Sequence, residues 1–401
     1  MIFQDIQDAR ERVREVILRT PLVYSRTLSR ASNREVFLKL ENLQTTGSFK
    51  LRGATNRLSL LKARGEGTRV VAASAGNHGQ GVASAAARLG LEAVIVMPRG
   101  ASISKQLACR GYGAQVILHG DDLSQALERA RELAAAGAIF IHPYDDEEVV
   151  AGQGTLGLEI LEDLAGAETV VLPVGGGGLA AGTAMALKEL KPEIRVVGVQ
   201  TAQVPSLAVA WEKGEPTAVV ARPTLADGIQ VPLVGRHTYP YLKRYLDEVV
   251  LVGEDDIAQA VLTLLENKKV LAEGAGAAPT AALLGALAGR DLGRQLVLLV
   301  SGGNMDIPLL ERVLVRALLQ RRRLLNLKVV LSDRPGSLGR LATLLGQQEA
   351  NILHLSHDRM GRDLPLDVTR VELILETRDP AHGEKVVAAL GEAGYQVEDR
   401  K

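Results

Sequence analysis

At 401 residues the chain is about twice the usual domain length, so more than one domain is expected. Its 47 Lys+Arg balance 47 Asp+Glu, which excludes a general electrostatic attraction to nucleic acid or anionic lipid. The single cysteine, Cys109, excludes an intrachain disulfide, and the 46% hydrophobic content allows a sizeable core. The first residues, "MIFQDIQDARERVREVI", mix both charges and hold no apolar signal segment. No apolar run is long enough to span a bilayer, so a cytoplasmic protein is expected.

From residue 69 a strand-then-helix rhythm begins. "RVVAAS" reads as a buried strand and "GNHGQGVASAAARLG" as a helix with an alanine face. "EAVIVM", "SISKQLACRG", "AQVIL" and "DDLSQALERARELAAA" continue the alternation. A second set starts near residue 147 with helix "EEVVAGQGTLGLEILEDL" and strand "TVVLPV". A glycine loop, helix "LAAGTAMALKEL" and strand "RVVGVQ" follow, and strand "QLVLLVSGGN" leads into helix "MDIPLLERVLVRALL". Short β-rich runs between helices predict parallel strands joined by crossovers. The fold class is therefore α/β: two open, mostly parallel sheets with flanking helices and a cleft between them, over residues 1–318. A small subdomain at about 45–145 is inserted in the larger one. Ligands in such sheets bind at the carboxyl ends of strands, where all three glycine-rich loops fall.

The composition then changes. A basic linker is expected at 319–325, and "QRRR" (Gln320 to Arg323) reads as solvated charge. Residues 326–401 form a separate module. Its order of strand, helix, two strands, helix and strand predicts a ferredoxin-like βαββαβ domain. "HLSH" puts His354 and His357 three apart in a strand, on opposite faces, which disfavours a shared metal.

The loop "VGGGGLAAG" joins a strand to a helix. Without Cβ atoms, Gly175 to Gly178 can turn their N–H groups on an anion, with a helix N-terminus behind them. It is neither GxGxxG with an acidic partner nor a P-loop, so a small phosphorylated cofactor fits better than a dinucleotide or nucleoside triphosphate.

"TTGSFKLRGA", "SAGNHGQG", "GGGGL" and "SGGNMD", in that order, resemble the pyridoxal-phosphate enzymes of the tryptophan-synthase-β fold type. Within that group the resemblance is to the threonine dehydratases, or threonine ammonia-lyases, over about residues 5–320. "LSDRPGSLGRLATLL" resembles an ACT domain. The resemblance implies pyridoxal 5'-phosphate held by Lys50 as a Schiff base, with Phe49 near the ring. Gly175, Gly176, Gly177, Gly178 and Leu179 would cradle its phosphate, Asn77 would donate to its phenolic oxygen, and Ser301 would face the pyridine nitrogen. Ser74 with Ala75, Gly76, Asn77 and His78 would hold the substrate carboxylate, and His78 receives no proton-transfer role. Glu273 is expected near the cofactor without an assigned part. The implied reaction is β-elimination from an amino acid such as L-threonine, with Lys50 as the base and the cofactor phosphate as proton donor to the leaving hydroxyl. L-Serine is a secondary substrate, and ammonia and a 2-oxo acid are the products.

Serine racemases of this fold type carry a serine where this chain has Ala75, so racemisation is disfavoured. Gln200 and Ser206 stand where those relatives bind a divalent cation, so no metal is expected. Gly336 and Asn351 are the positions for an amino-acid effector, isoleucine or valine, at the ACT-like module, and relatives assemble as homo-dimers or homo-tetramers. Two other readings stay open: a serine or hydroxyaspartate dehydratase, and a non-catalytic amino-acid sensor. A neutral serine at the pyridine nitrogen, rather than an aspartate, favours prompt loss of a β-substituent over transamination.

Overall fold

The computed structural model describes residues 1–359 and 365–399. In chain order the strands of the first part are β1 (Leu22–Tyr24), β2 (Glu35–Leu40), β3 (Arg69–Ala73), β4 (Glu92–Met97) and β5 (Gln115–Leu118). They continue as β6 (Ile139–Phe140), β7 (Thr169–Pro173), β8 (Arg195–Thr201), β9 (Glu248–Val252) and β10 (Gln295–Val300). Two sheets result. One runs β1-β2-β10-β7-β8-β9 and is parallel except for the β1 edge; the other, β5-β4-β3-β6, is wholly parallel. β7 and β10 are near-continuous apolar runs because helices cover both faces of their sheet.

The abundance of small residues has a visible cause in the packing of helix Glu147–Asp163 on helix Gly178–Leu190. A Cβ on Gly182 would lie 2.2 Å from the Val150 carbonyl, so the two backbones meet where a larger residue has no room. Asp146 starts the first of these helices, its carboxylate accepting from the N–H groups of Glu148 and Val149 at 2.8 and 3.1 Å. Gln200 and Ser206 are engaged with each other at 3.3 Å, and Gln200 Oε1 also accepts from the N–H groups of Leu207 and Ala208. Cys109 is buried in helix Ile103–Gly111 and packs among Leu, Ile and Ala side chains.

The chain divides into two compact units, Met1–Ile307 and Pro308–Lys401, so the boundary falls before the expected residue 318. The expected linker at 319–325 is also corrected. Helix Ile307–Gln320 runs into it, and the N–H groups of Arg321, Arg322 and Arg323 bond back to Ala317, Leu319 and Leu318. β11 (Leu324–Ser332) then starts at once, because the apolar alternation of "LLNLKVVLS" already belongs to the sheet. With β12 (Asn351–Asp358), β13 (Val368–Glu376) and β14 (Gln396–Asp399) it forms an antiparallel sheet in the order β12-β13-β11-β14. Helices Ser337–Gln347 and Pro380–Glu392 complete the ferredoxin-like pattern over a core that includes Leu327, Val329, Leu341 and Val386. On edge strand β12 the exposed His354 stands opposite Ile374 and the exposed His357 opposite Val371. No helix among the described residues is long and apolar enough to cross a membrane.

Candidate active site

The three glycine-bearing loops follow β3, β7 and β10 and converge on one cavity of about 340 Å³. Lys50 reaches it because its segment is tied to the end of β10. Ser48 forms a bridge with Gly302, and the Phe49 N–H donates to the Ser301 carbonyl at 3.1 Å. Helix Lys50–Arg64 begins there. Lys50 Nζ donates to the Pro143 carbonyl at 2.8 Å and sits 5.1 Å from the Phe49 ring centroid. Burial pushes its amine down to about 8, against the opposing pull of Glu273.

Gly175 to Gly178 link β7 to helix Gly178–Leu190. Gly177 has φ +100° and a Cβ on Gly176 would fall 2.3 Å from the Tyr144 ring, so both need glycine. The Gly176 carbonyl accepts from Gly235 N–H at 3.0 Å and from Thr238 Oγ1 at 2.7 Å, which pins the loop from behind. The N–H groups of Gly175 to Gly178 have no acceptor among the described residues, and Leu179 also lines the cavity. Ser301, almost fully buried, lines it at the end of β10.

The loop after β3 supplies Ser74 to His78. Ser74 Oγ already accepts from the Gly76 N–H at 3.1 Å, so of the expected carboxylate donors Gly76 is committed inside the loop. His78 is buried, its Nε2 donating to the Ile141 carbonyl at 2.9 Å. Burial, with Lys50 adding to it, pushes its imidazole down to about 3, so it stays neutral. The Asn77 amide donates to Glu273 Oε1 at 2.7 Å. Glu273 is the N-cap residue of helix Gly274–Leu284. Burial pushes its carboxyl up to about 8, Asp227 adding to the shift and Asn77 opposing it.

Several lining groups escaped the sequence reading. Pro143 and Tyr144 lie in "IHPYDD", where the His142 Nδ1 accepts from the N–H groups of Tyr144 and Asp145 at 3.3 and 2.7 Å and shapes the turn that presents the Pro143 carbonyl. Lys105 comes from helix Ile103–Gly111, its ammonium 3.4 Å from Asp227 and 3.8 Å from Asp306. Asn304 stood within the quoted "SGGNMD" without a role. Only Asn304 had a signal in the sequence, its place in a glycine motif; Lys105 and Pro143 have none.

Gly336 and Asn351 are not brought together within one chain. Gly336 follows the end of β11, where Ser332 pairs with Val368. Asn351 pairs with Glu376, which faces Leu324 at the other end.

Residues 13–302 match the family described as pyridoxal-phosphate dependent enzyme. The chain belongs to that family. L-Threonine ammonia-lyase of Thermotoga maritima is 45% identical over 395 residues, 98% of each chain, so the likeness includes the C-terminal unit. The solved T.th. threonine deaminase superposes with a TM-score of 0.73 at 39% identity, covering 77% of this chain and 99% of its own. Maize serine racemase superposes at 0.75 with 30% identity, covering 80% and 98%. Pyridoxal 5'-phosphate is the family's cofactor, and the donor set suits it. An amine whose cation burial disfavours, four backbone N–H groups without an acceptor among the described residues and a hydroxyl at a strand end line one cavity.

Proposed function

We propose that this chain converts L-threonine to 2-oxobutanoate and ammonia by β-elimination, with L-serine as a secondary substrate. The observation that carries the reading is Lys50: a half-buried lysine whose hydrogen-bond acceptor is a backbone carbonyl, on the wall of the cavity that the glycine loop also lines. The 45% identity over 98% of an L-threonine ammonia-lyase supports threonine as the substrate.

Bound pyridoxal phosphate supplies an electron sink that acidifies the Cα–H bond of the amino acid. Lys50 holds the cofactor covalently at rest and takes the Cα proton when free. A base must be unprotonated, and burial moves Lys50 toward that state by lowering its amine from the ordinary 10.5 to about 8. Gly175 to Gly178 and Leu179 hold the phosphate, Ser301 meets the pyridine nitrogen, and Asn77 donates to the phenolic oxygen. Ser74 and the N–H groups of Ala75, Asn77 and His78, at the start of helix Asn77–Leu89, hold the substrate carboxylate. Ala75 offers no second proton carrier, which favours elimination over racemisation. Water is lost and regained, so the net products are the 2-oxo acid and ammonia.

The C-terminal unit acts as an ACT-like regulatory domain in a cytoplasmic enzyme of isoleucine biosynthesis, with isoleucine or valine as effector. Since Gly336 and Asn351 lie at opposite ends of one sheet, an effector touching both requires two copies, which favours a homo-dimer or homo-tetramer.

The test is turnover by the purified chain of L-threonine, L-serine and 3-hydroxyaspartate, with the visible absorbance of bound cofactor recorded alongside. A higher kcat/KM for threonine than for the other two is expected. Faster serine or hydroxyaspartate turnover changes the substrate and keeps the chemistry. A colourless protein inert toward all three ends the proposal.

A further inference from the structure

The side chains on one wall of the cavity form hydrogen bonds with a definite direction. Asn304 Nδ2 donates to the Thr46 carbonyl at 2.8 Å and to Asn77 Oδ1 at 2.8 Å. Asn77 Nδ2 in turn donates to Glu273 Oε1 at 2.7 Å. A backbone carbonyl only accepts, so Thr46 admits one orientation of the Asn304 amide. Both N–H groups of Asn304 are then committed. A flipped Asn77 would set Nδ2 against Nδ2, two donors with no acceptor between them. The direction fixed at Thr46 therefore passes through Asn304 to Asn77. Its second N–H then remains on the cavity side, with no acceptor among the described residues.

The seat of Asn304 is tight. A Cβ on Gly47, which has φ +71°, would lie 2.3 Å from Asn304 Oδ1, so only a glycine there leaves the amide its place. Thr46 is itself buried and Gly303 N–H donates to the Gly47 carbonyl at 3.0 Å, which locks the two loops together.

We propose that Asn304 is a positioning residue: it fixes the Asn77 amide so that an N–H, and not the carbonyl oxygen, faces the cofactor's phenolic oxygen. The inference rests on the functional reading above for the cofactor and adds the residue that aims this contact. An oxygen that bears negative charge is stabilised by a donor and repelled by an acceptor. Asn304 thus works on the cofactor only through Asn77.

Two variants separate aiming from packing. Asn304→Asp keeps the shape and can only accept, so it draws the Asn77 donor away from the cavity. Asn304→Ala removes the donors and leaves Asn77 unguided. If the role is packing alone, Ala should do more harm than Asp. If it is aiming, Asp should do more than Ala. The readouts are the pH at which the bound cofactor's visible absorbance titrates, the cofactor dissociation constant and the melting temperature. Asp is expected to move the absorbance midpoint by about one pH unit and to weaken cofactor binding about tenfold, beyond the effect of Ala, the size of one charge-assisted hydrogen bond. Its melting temperature should fall no further than that of Ala. Midpoints like the wild type in both variants, or a larger shift in Ala, would overturn the proposal. Should Asp not be recovered folded, Asn304→Leu takes its place, keeping the bulk without the donors: a midpoint moved as far as in Ala supports the proposal, and one restored to the wild-type value overturns it. A wild type that binds no cofactor would sink the functional reading and this inference together. A coloured wild type with indifferent variants sinks this inference only.

Discussion

Lys50 and Arg52 are two residues apart on one helix, and burial weighs against the cation of both, Arg52 wholly buried and Lys50 half-buried, yet their surroundings treat them oppositely. At about 100° per residue they project from nearly opposite sides of the helix. Lys50 turns to the cavity and finds a carbonyl. Arg52 turns to the interior, where Nε and Nη2 reach the two Glu41 oxygens at 2.9 and 2.8 Å. Its Nη1 and Nη2 also meet the Glu159 oxygens at 2.6 and 3.0 Å. Burial pulls the Arg52 guanidinium down, but Glu41 and Glu159 outweigh it and hold it above its ordinary value. For Lys50 burial wins, and the amine falls to about 8. A paired buried cation is structure; an unpaired one is reactive. The deeper of the two is the one that keeps its charge, so the carboxylates within reach decide, not depth.

The most severe way to break the contrast is to remove each cation. Lys50→Ala should lower 2-oxobutanoate formation by about 10³-fold or more, since it takes both the covalent anchor and the base. The same variant, freed of cofactor, should melt no lower than the wild type, because it loses a cation that burial had destabilised. Arg52→Ala should do the reverse. Glu41 and Glu159 would be left buried without their partner, at a cost of about 3–5 kcal/mol in denaturant unfolding. A stable Arg52→Ala protein would show that water or Lys39 takes over the pairing. Lys39 already lies 2.8 Å from Glu159 and 3.2 Å from Asp163, so some rescue of Glu159, though not of Glu41, is built in.

The pH dependence sharpens the same contrast. Lys50 titrates near 8 when folded and near its ordinary 10.5 when unfolded. Between these values the unfolded chain binds the extra proton, so stability rises with pH through that window. Below about 8 the full penalty, on the order of 3 kcal/mol, is present; above about 10.5 it has vanished. The cofactor-free wild type minus Lys50→Met difference in unfolding free energy should therefore grow in favour of the wild type from pH 8 to 10.5. A flat difference would mean that the lysine titrates normally in the fold. Arg52 should give no such slope, because its cation persists in both states throughout the range.

Much of this was legible in the sequence, and the limit is physical. The phosphate loop announces itself because four consecutive glycines are costly unless a backbone must approach something closely. Lys50 was readable because "GSFK" precedes that loop in the order of a known family. The βαββαβ module was readable because strands with period-2 alternation bracket two helices. What escaped was whatever depends on the other chain segment. Pro143 contributes a carbonyl, which no side-chain pattern encodes. Arg52 and Glu159 are 107 positions apart and meet only through packing of two helices. The basic run at Arg321 to Arg323 looked like a linker because charge suggested solvent. Its N–H groups close a helix instead, and the strand follows at Leu324. Residues 206–284 carried elements that the reading passed over, among them β9 and helix Gly274–Leu284, whose N-cap Glu273 proved to be a cavity residue.

Lys105 is the intermediate case, and it sets the smallest expected effect. It lines the same cavity as Lys50 and faces two carboxylates as Arg52 does, but at 3.4 and 3.8 Å, with Asp227 about half exposed. Asp306 is already bound by the Ser102 and Ser104 hydroxyls at 2.9 and 2.7 Å, so it does not depend on the lysine for its partners. Pairing in reach of water returns little, because solvent competes for each charge and screens the pair. Lys105→Met should therefore cost under about 1 kcal/mol in unfolding, against the several expected for Arg52. It should leave kcat within a few-fold, since the lysine touches neither the Cα proton nor the covalent anchor. KM for threonine should change more than kcat, because the side chain borders the space the substrate crosses. A loss of stability comparable to that of Arg52→Ala would show that pairing alone, without burial, makes a cation structural. A kcat loss comparable to that of Lys50→Ala would move Lys105 into the reacting group.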